Sequence, residues 1–281
     1  MSILYATLAS ALFLGAVFVP LERAFAAREG RRLRDPSLRL DALFFLGQYV
    51  LWNGITFALL SWGQNALAET RLGAGWAPLA ALPFAAQVGA AVLLGDVTVY
   101  FFHRACHRFA WLWRLHAVHH SAEHLDWLAA HREHPLDGLL TSLAGNLPAF
   151  LLGFRPAGIA PFLVFRGVWA VLVHANVRIP LGPFKWLLGA PELHHWHHAR
   201  TPLTTHNFAN LAPWIDVVFG THHDPGPDAV YPLGADVPPR TYVGHLLAPL
   251  LPSTRAGHQQ LIDVRGVGCA GGPVADLQRR A

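Results

Sequence analysis

The chain has 281 residues, of which 53% are hydrophobic and only 14% charged. An average soluble domain carries about 25% charged residues, so this balance reads as a membrane protein. The formal charge of +4 comes almost wholly from arginine, since Lys185 is the only lysine. No basic stripe is interleaved with exposed aromatics, which argues against a nucleic-acid partner. The two cysteines, Cys106 and Cys269, are far apart and form no C-x-x-C pattern, so neither a disulfide framework nor a thiolate zinc site is expected.

Residues 3–21 form a charge-free apolar stretch, long enough to cross hydrocarbon at ~20 residues per span. Its positive charges follow it rather than precede it, which favours a retained anchor over a cleaved signal peptide. Arg28, Arg31, Arg32, Arg34 and Arg39 come next, and the positive-inside rule puts this loop in the cytoplasm. Residues 42–62 make a second span and 76–95 a third, which runs inward into the first of three histidine clusters. Residues 138–154 and 157–176 are shorter apolar segments interrupted by Pro148 and Arg166. They are expected to form a hairpin that dips into the bilayer and returns. Beyond His198 the chain turns polar and proline-rich.

The clusters are His103-x-x-x-His107, His116-x-x-His119-His120 and His194-x-x-His197-His198. Histidines four apart share a helical face, and imidazole suits iron, copper, zinc and nickel. Eight such groups exceed what one tetrahedral zinc uses and suffice for two adjacent metals. Asp96, Tyr100, His103 and His107 recur at spacings of four, three and four, a single helical stripe. An aspartate at the end of a span is costly unless paired. Its expected task is to accept the free N–H of a metal-bound imidazole; the plainer alternative is a carboxylate facing water at the interface. His134 and His174 stand near expected membrane boundaries and are further ligand candidates. Cys106 reads as a small apolar helix residue, and Glu192 as a supporting carboxylate or an ordinary helix N-terminal acid.

An ordered set of motifs spans residues 96–234. It runs Asp96-x-x-x-Tyr100-x-x-His103-Arg104-x-x-His107, Leu112-Trp113-x-x-His116-x-x-His119-His120-Ser121, Arg132-x-His134-Pro135 and His174-x-Asn176. It continues with His194-x-Trp196-His197-His198, Asn207-Phe208, Trp214-Ile215-Asp216, Phe219-Gly220-Thr221 and Tyr231-Pro232-Leu233-Gly234. This set resembles the fatty acid hydroxylase superfamily, also called the sterol desaturase family, of integral membrane di-iron enzymes.

The resemblance implies an oxygen-dependent oxidoreductase that hydroxylates or desaturates C–H bonds of a fatty acyl, sterol-like or isoprenoid lipid. Two iron ions, replaceable by zinc, and dioxygen are the implied cofactor and co-substrate. The implied metal ligands are His103, His107, His116, His119, His120, His134, His174, His194, His197 and His198; Asp96, Tyr100, Asn176 and Asp216 are the implied catalytic residues. His195 falls where relatives often carry arginine and is left out. No glycine-rich phosphate loop is present, so electrons must come from a separate donor, a ferredoxin or a b-type cytochrome with its reductase. Arg108, Arg114 and Arg132 are candidates for steering an acidic carrier.

The expected fold is all-α: an integral membrane helical bundle of about four to five membrane segments with a cytoplasmic, histidine-rich di-metal cap. Residues 1–95 would hold the N-terminal spans, 96–234 the catalytic domain with its membrane hairpin at 138–176, and 235–281 a partly flexible tail. The setting would be a bacterial inner membrane with the histidines on the cytoplasmic face. The competing class is a membrane metal-binding or metal-transport protein. Transporters place their ligands near mid-membrane on broken helices, whereas these clusters follow the spans. A bis-histidine haem protein would need facing histidines on different spans instead of compact triplets.

Overall fold

A computed structural model describes residues 3–32, 34–70, 75, 81–154, 156–200, 205–226, 229–238 and 240–251, the side chains of 156–163 excepted. The start of the expected third span (76–80) and the tail from 252 onward lie outside the described residues.

The architecture is helical, and no β-strand occurs among the described residues. Helix α1 is Ile3–Ala24. Helix α2, Pro36–Gly47, starts where the Asp35 side chain accepts the Ser37 amide and Pro36 takes the first helical position, a favoured N-terminus. It continues through a π-helical turn, Gln48–Trp52, into α3, Asn53–Ala68. Helix α4 is Phe84–Arg108 and α5 is Ala110–His120; the extended backbone of Phe109 separates them. Helices α6 (Pro135–Leu151) and α7 (Pro156–His174) follow. Short helices α8 (Pro191–His197), α9 (Trp214–Val218) and α10 (Tyr242–Leu247) complete the set.

Among the described residues, three units are long and apolar enough to cross a membrane: α1, the continuous α2–α3 unit over Pro36–Ala68, and α4. Their outer faces carry Leu4, Phe57 and Trp62 at 67%, 64% and 71% exposure. In water that surface would be unfavourable at ~25 cal/mol per Å²; against lipid it is matched. The described third unit begins at Phe84, several residues after the start read from the sequence. α6 and α7 cover the two shorter apolar segments expected at 138–154 and 157–176.

The core packs these helices at their ends. Leu14 and Phe18 of α1 meet Phe45 of α2 and Val171 of α7, with Leu128 and Val177 closing the cluster. The arginine loop between α1 and α2 lies against this end of the bundle. Asn176 exchanges two hydrogen bonds with the Arg28 backbone, at 3.0 Å each, and Arg28 donates to the Tyr231 carbonyl at 2.8 Å. Arg31 binds Asp41 and Asp126, and Asp41 also receives Arg132 Nε at 2.5 Å. Arg132 is therefore a buried strut, because its charge is matched by a carboxylate that is itself fully enclosed. This overturns its assignment as a docking charge for an acidic carrier.

Candidate metal centre

The histidines converge from four helices, α4, α5, α7 and α8, with His198 capping the last. His103, His107, His116, His120 and His197 form one buried group, and His119, His174, His194 and His198 another, with each group's ligand atoms within 4.8 Å of one another. The groups adjoin: the His120 ring stacks on His198 at 4.3 Å, and His119 meets His198 at 4.6 Å. Each H-x-x-H-H triplet is divided between them, in opposite senses. Helix α5 gives its i, i+4 pair, His116 and His120, to the first group and His119 to the second. Helix α8 gives His194 and His198 to the second group and His197 to the first. Helical periodicity produces this division, because residues i and i+4 share a face that i+3 leaves slightly rotated.

Five rings have Nδ1 anchored. His103 reaches the Phe208 carbonyl at 2.8 Å, His119 the Arg132 carbonyl at 3.0 Å, His174 the Ala170 carbonyl at 2.6 Å and His197 the His206 carbonyl at 2.7 Å. His116 reaches the Asp137 carboxylate at 2.8 Å. Carbonyls and carboxylates only accept, so each of these rings carries its proton on Nδ1 and keeps a lone pair on Nε2. An outer partner of this kind fixes tautomer and orientation in metal-bound histidine.

Those lone pairs test the fit of a metal. Nε2 of His119 and Nε2 of His174 stand 2.9 Å apart, although both rings already donate through Nδ1, so no proton lies between them in neutral rings. Nε2 of His103, His107 and His197 are buried without a hydrogen-bond partner. Each buried unpaired acceptor costs ~1–3 kcal/mol. Cations among the nine nitrogens remove both penalties, so the residues fit metal ions. Burial also keeps the rings in the neutral, ligating form. It holds His119, His120, His194 and His198 well below the usual imidazole range and His197 down to about 3.

The surrounding loops explain several motif residues. Phe208 lies 5.3–5.5 Å from the rings of His103, His107 and His197 and walls them off. Its position is set by Asp216, whose two oxygens accept the Phe208 and Ala209 amides at 2.8 and 2.9 Å. Burial pushes that carboxyl up to about 6. Asn207 has φ of 59°, a left-handed conformation that Asn tolerates better than most residues. Its side chain ties the turn to the Leu193 and His223 carbonyls at 2.9 and 2.8 Å. Gly189 is required by close approach, since a Cβ there would stand 1.6 Å from the Asn210 carbonyl oxygen.

Other expected site residues are placed elsewhere. His134 belongs to neither histidine group. It caps α6, with Nδ1 accepting the Leu136 amide at 3.2 Å and Nε2 donating to the Leu246 carbonyl at 3.0 Å. Both nitrogens are used, which removes it from the ligand set. Asp96 accepts the Ala212 amide at 2.9 Å instead of an imidazole, because its position on α4 faces the 210–212 loop. Tyr100 is fully buried and donates to Thr221 at 2.7 Å, and Thr221 in turn donates to Asp216 at 2.8 Å. Asn176 secures the Arg28 loop. Tyr100, Asn176 and Asp216 thus hold framework around the rings. His195 is directed to the Ala175 carbonyl at 3.0 Å, consistent with leaving it out. Glu192 pairs with Lys185 at 3.2 Å.

The carboxylate that does touch a histidine is Asp137, which spacing alone did not single out. It sits in the first turn of α6, where an acid reads as an ordinary helix-start residue. Cys106 packs nearby, with Sγ 3.9 Å from Asp137.

Two cavities meet at the site. A chamber of about 130 Å³ touches His103, His116, His119, His174 and His194. It shares Val99, Ala130, Glu133, Thr141, Ala170 and Asn210 with a larger cavity of about 630 Å³ between the long helices.

A helical protein with three membrane-length segments and nine buried histidines in two adjoining, metal-compatible groups is defined by this geometry. Residues 88–221 match the fatty acid hydroxylase family model. The chain is 32% identical over 188 residues to the ornithine lipid hydroxylase OlsE of Rhizobium tropici, covering 64% of this chain and 54% of that protein. It is 29% identical over 139 residues to an alkylglycerol monooxygenase of Danio rerio, covering 49% and 31%. Against the Delta(7)-sterol 5(6)-desaturase ERG3A of Gibberella zeae, identity is 26% over 134 residues, covering 48% and 37%. The chain thus spans about half, or less, of the length of these relatives. No solved structure matches it significantly.

Proposed function

We propose that this chain is a membrane-bound oxidoreductase that hydroxylates or desaturates a C–H bond of a fatty acyl, sterol-like or isoprenoid lipid with two iron ions and dioxygen. The observation that carries the reading is the inward convergence of nine buried imidazole nitrogens in groups of five and four. The relatives' names, a hydroxylase, a monooxygenase and a desaturase of lipids, support oxidative chemistry on such substrates. The ligands in this proposal are His103, His107, His116, His119, His120, His174, His194, His197 and His198.

Two iron ions at these nitrogens would supply dioxygen activation and attack on an unactivated C–H bond. The chain's own work is positional. Asp137 and the carbonyls of Phe208, Arg132, Ala170 and His206 aim the rings, and Phe208 excludes water. The chamber beside His103 and His174 receives the reacting carbon from the larger cavity. Hydroxylation with one dioxygen consumes two electrons and two protons and releases one water. A separate ferredoxin, or a b-type cytochrome with its reductase, would supply the electrons. The α6–α7 pair would be a returning hairpin, giving about four to five membrane segments, and residues 96–234 the catalytic domain. The arginine loop, packed at the histidine end of the bundle, supports a cytoplasmic site in a bacterial inner membrane.

The test is metal content and product formation together. Protein purified without chelator from iron-supplemented cells should hold about two metals per chain, and with a reductant and dioxygen should raise the mass of a bound lipid by one oxygen or lower it by two hydrogens. Full metal content with no lipid oxidation under any donor would favour metal binding or transport instead.

A further inference from the structure

The larger cavity opens on the apolar flank of the spans, where Phe13, Phe57 and Val164 line it and are 54%, 64% and 64% exposed. Its mainly apolar lining also carries polar groups: Gln48 from the π-helical turn, Asn53, Asp96, Ser142, Asn146 and Arg166. Polar and ionisable groups at membrane depth are costly and mark substrate paths. Arg166 is the only charged residue in the otherwise apolar Val164–His174 stretch of α7.

A slot is built for its guanidinium. A Cβ on Gly95 would lie 2.9 Å from Nη1, and one on Gly145 would lie 3.1 Å from both Nη1 and Nη2. Within that slot Arg166 makes one hydrogen bond among the described residues, from Nη1 to the Gly145 carbonyl at 3.2 Å. Asp96 interacts with it electrostatically but forms no close ion pair with it among the described residues, and its Oδ2 accepts the Ala212 amide. A guanidinium offers five N–H donors in a planar fork suited to carboxylate and phosphate. Most of that fork is left for a ligand.

Resting on the lipid-oxidase reading for the cavity's role, we infer that it selects an amphipathic lipid with an anionic oxygen group, carboxylate or phosphate, bound by Arg166. Arg166 precedes His174 by eight residues, about 12 Å along the helix axis. The anionic group is therefore held away from the histidines, and hydrocarbon several bonds along the chain is what reaches them. An Arg166 that only ties α7 to α6 through Gly145 would show no such selectivity.

The test uses full-length, metal-free protein in a neutral maltoside detergent and equilibrium binding of radiolabelled palmitate and hexadecanol. Wild type should bind palmitate about tenfold or more tightly, the scale of one charged hydrogen-bonding contact. Arg166→Gln should abolish that preference while leaving hexadecanol binding unchanged, and Arg166→Lys should keep part of it. Lysophosphatidate in place of palmitate tells phosphate from carboxylate recognition. Equal binding of acid and alcohol by wild type, or a preference that survives Arg166→Gln, overturns the inference. If Arg166→Gln fails to fold, the wild-type comparison and an undiminished preference in Arg166→Lys remain as ways to overturn it. Because the measurement needs no metal, acid selectivity without lipid oxidation would sink the oxidase reading alone. Oxidation of lipids without acid selectivity would sink this inference alone.

Discussion

The carboxylate of Asp137 accepts the Nδ1 proton of His116 at 2.8 Å, linking the first turn of α6 to the last turns of α5. Removing such an outer partner of a metal-bound histidine characteristically weakens metal binding or activity by ~10–100-fold. Asp137→Asn should do so by loosening the tautomer and tilt of His116, measured by chelator competition for the bound metal. Unchanged affinity would show that His116 is oriented by packing alone.

The histidines themselves were legible because i, i+4 and H-x-x-H-H spacing makes a helical face whatever the tertiary fold. What spacing could not reveal is which group each part of a triplet joins, since that depends on how α5 and α8 pack against the other helices. It also could not separate His134 from His174. Both lie at a helix end beside an apolar segment, but one spends its nitrogens on a cap and on Leu246, while the other turns Nε2 toward His119 and His194 at 2.9 Å. Arg132 looked like a surface charge for the same reason: its partner Asp41 is 91 residues away, beyond any local pattern. Two long apolar segments, 3–21 and 42–62, fall within membrane-length helices, because length and apolarity are local properties, while the third, expected at 76–95, overlaps only the first half of α4.

The division into groups makes a paired prediction. His197→Ala removes a ligand from the five-histidine group and His119→Ala one from the four-histidine group. Each should lower metal content from about two to about one per chain and abolish oxidation. His134→Ala should leave metal content near wild type and act on stability by ~0.5–2 kcal/mol through the lost cap. Loss of metal in His134→Ala equal to that in His119→Ala would contradict the assignment.

Asp96 and Asp216 should behave differently from Asp137. Asp96→Asn leaves an oxygen able to accept the Ala212 amide, so metal affinity should stay within about threefold of wild type. Asp216→Ala removes the acceptor of two buried amides and the Thr221 hydroxyl. It should cost ~1–3 kcal/mol of stability and shift Phe208, whose carbonyl anchors His103. Thermal unfolding and metal titration of both variants, side by side, separate the two roles.

Acid should destabilise the metal-free protein. Burial lowers His195 and His197 to about 3, whereas the unfolded chain titrates near ~6.5. Between those values the unfolded state binds more protons, so stability rises with pH and is lost as pH falls from about 6.5 toward 3. Asp216, raised by burial to about 6, has the opposite sign between about 4 and 6, where the folded state holds the extra proton. Glu133, pushed up to about 8 by burial, has the same sign, and the two carboxyls offset only part of the effect of the more numerous buried histidines. Melting temperatures should fall steadily below pH 6.5, and in the metal-loaded protein proton uptake should accompany metal release. A flat profile down to pH 4 would mean the rings are not held neutral by burial.

The buried network behind His119 offers the last prediction. Asp41 binds both Arg31 and Arg132 and is fully enclosed, and the Arg132 carbonyl anchors the His119 ring. Asp41→Ala leaves two guanidinium groups short of their shared acceptor, and breaking a buried charge pair of this kind costs ~3–5 kcal/mol. Asp41→Asn retains a hydrogen-bond acceptor but loses the charge, and it should cost less. If Arg132 transmits its position to His119, both variants should weaken metal retention by the four-histidine group before that of the other, because His119 belongs to it. Stepwise chelation followed by metal analysis reads the order. Equal loss from both groups would confine Asp41 to general stability, with no particular hold on His119.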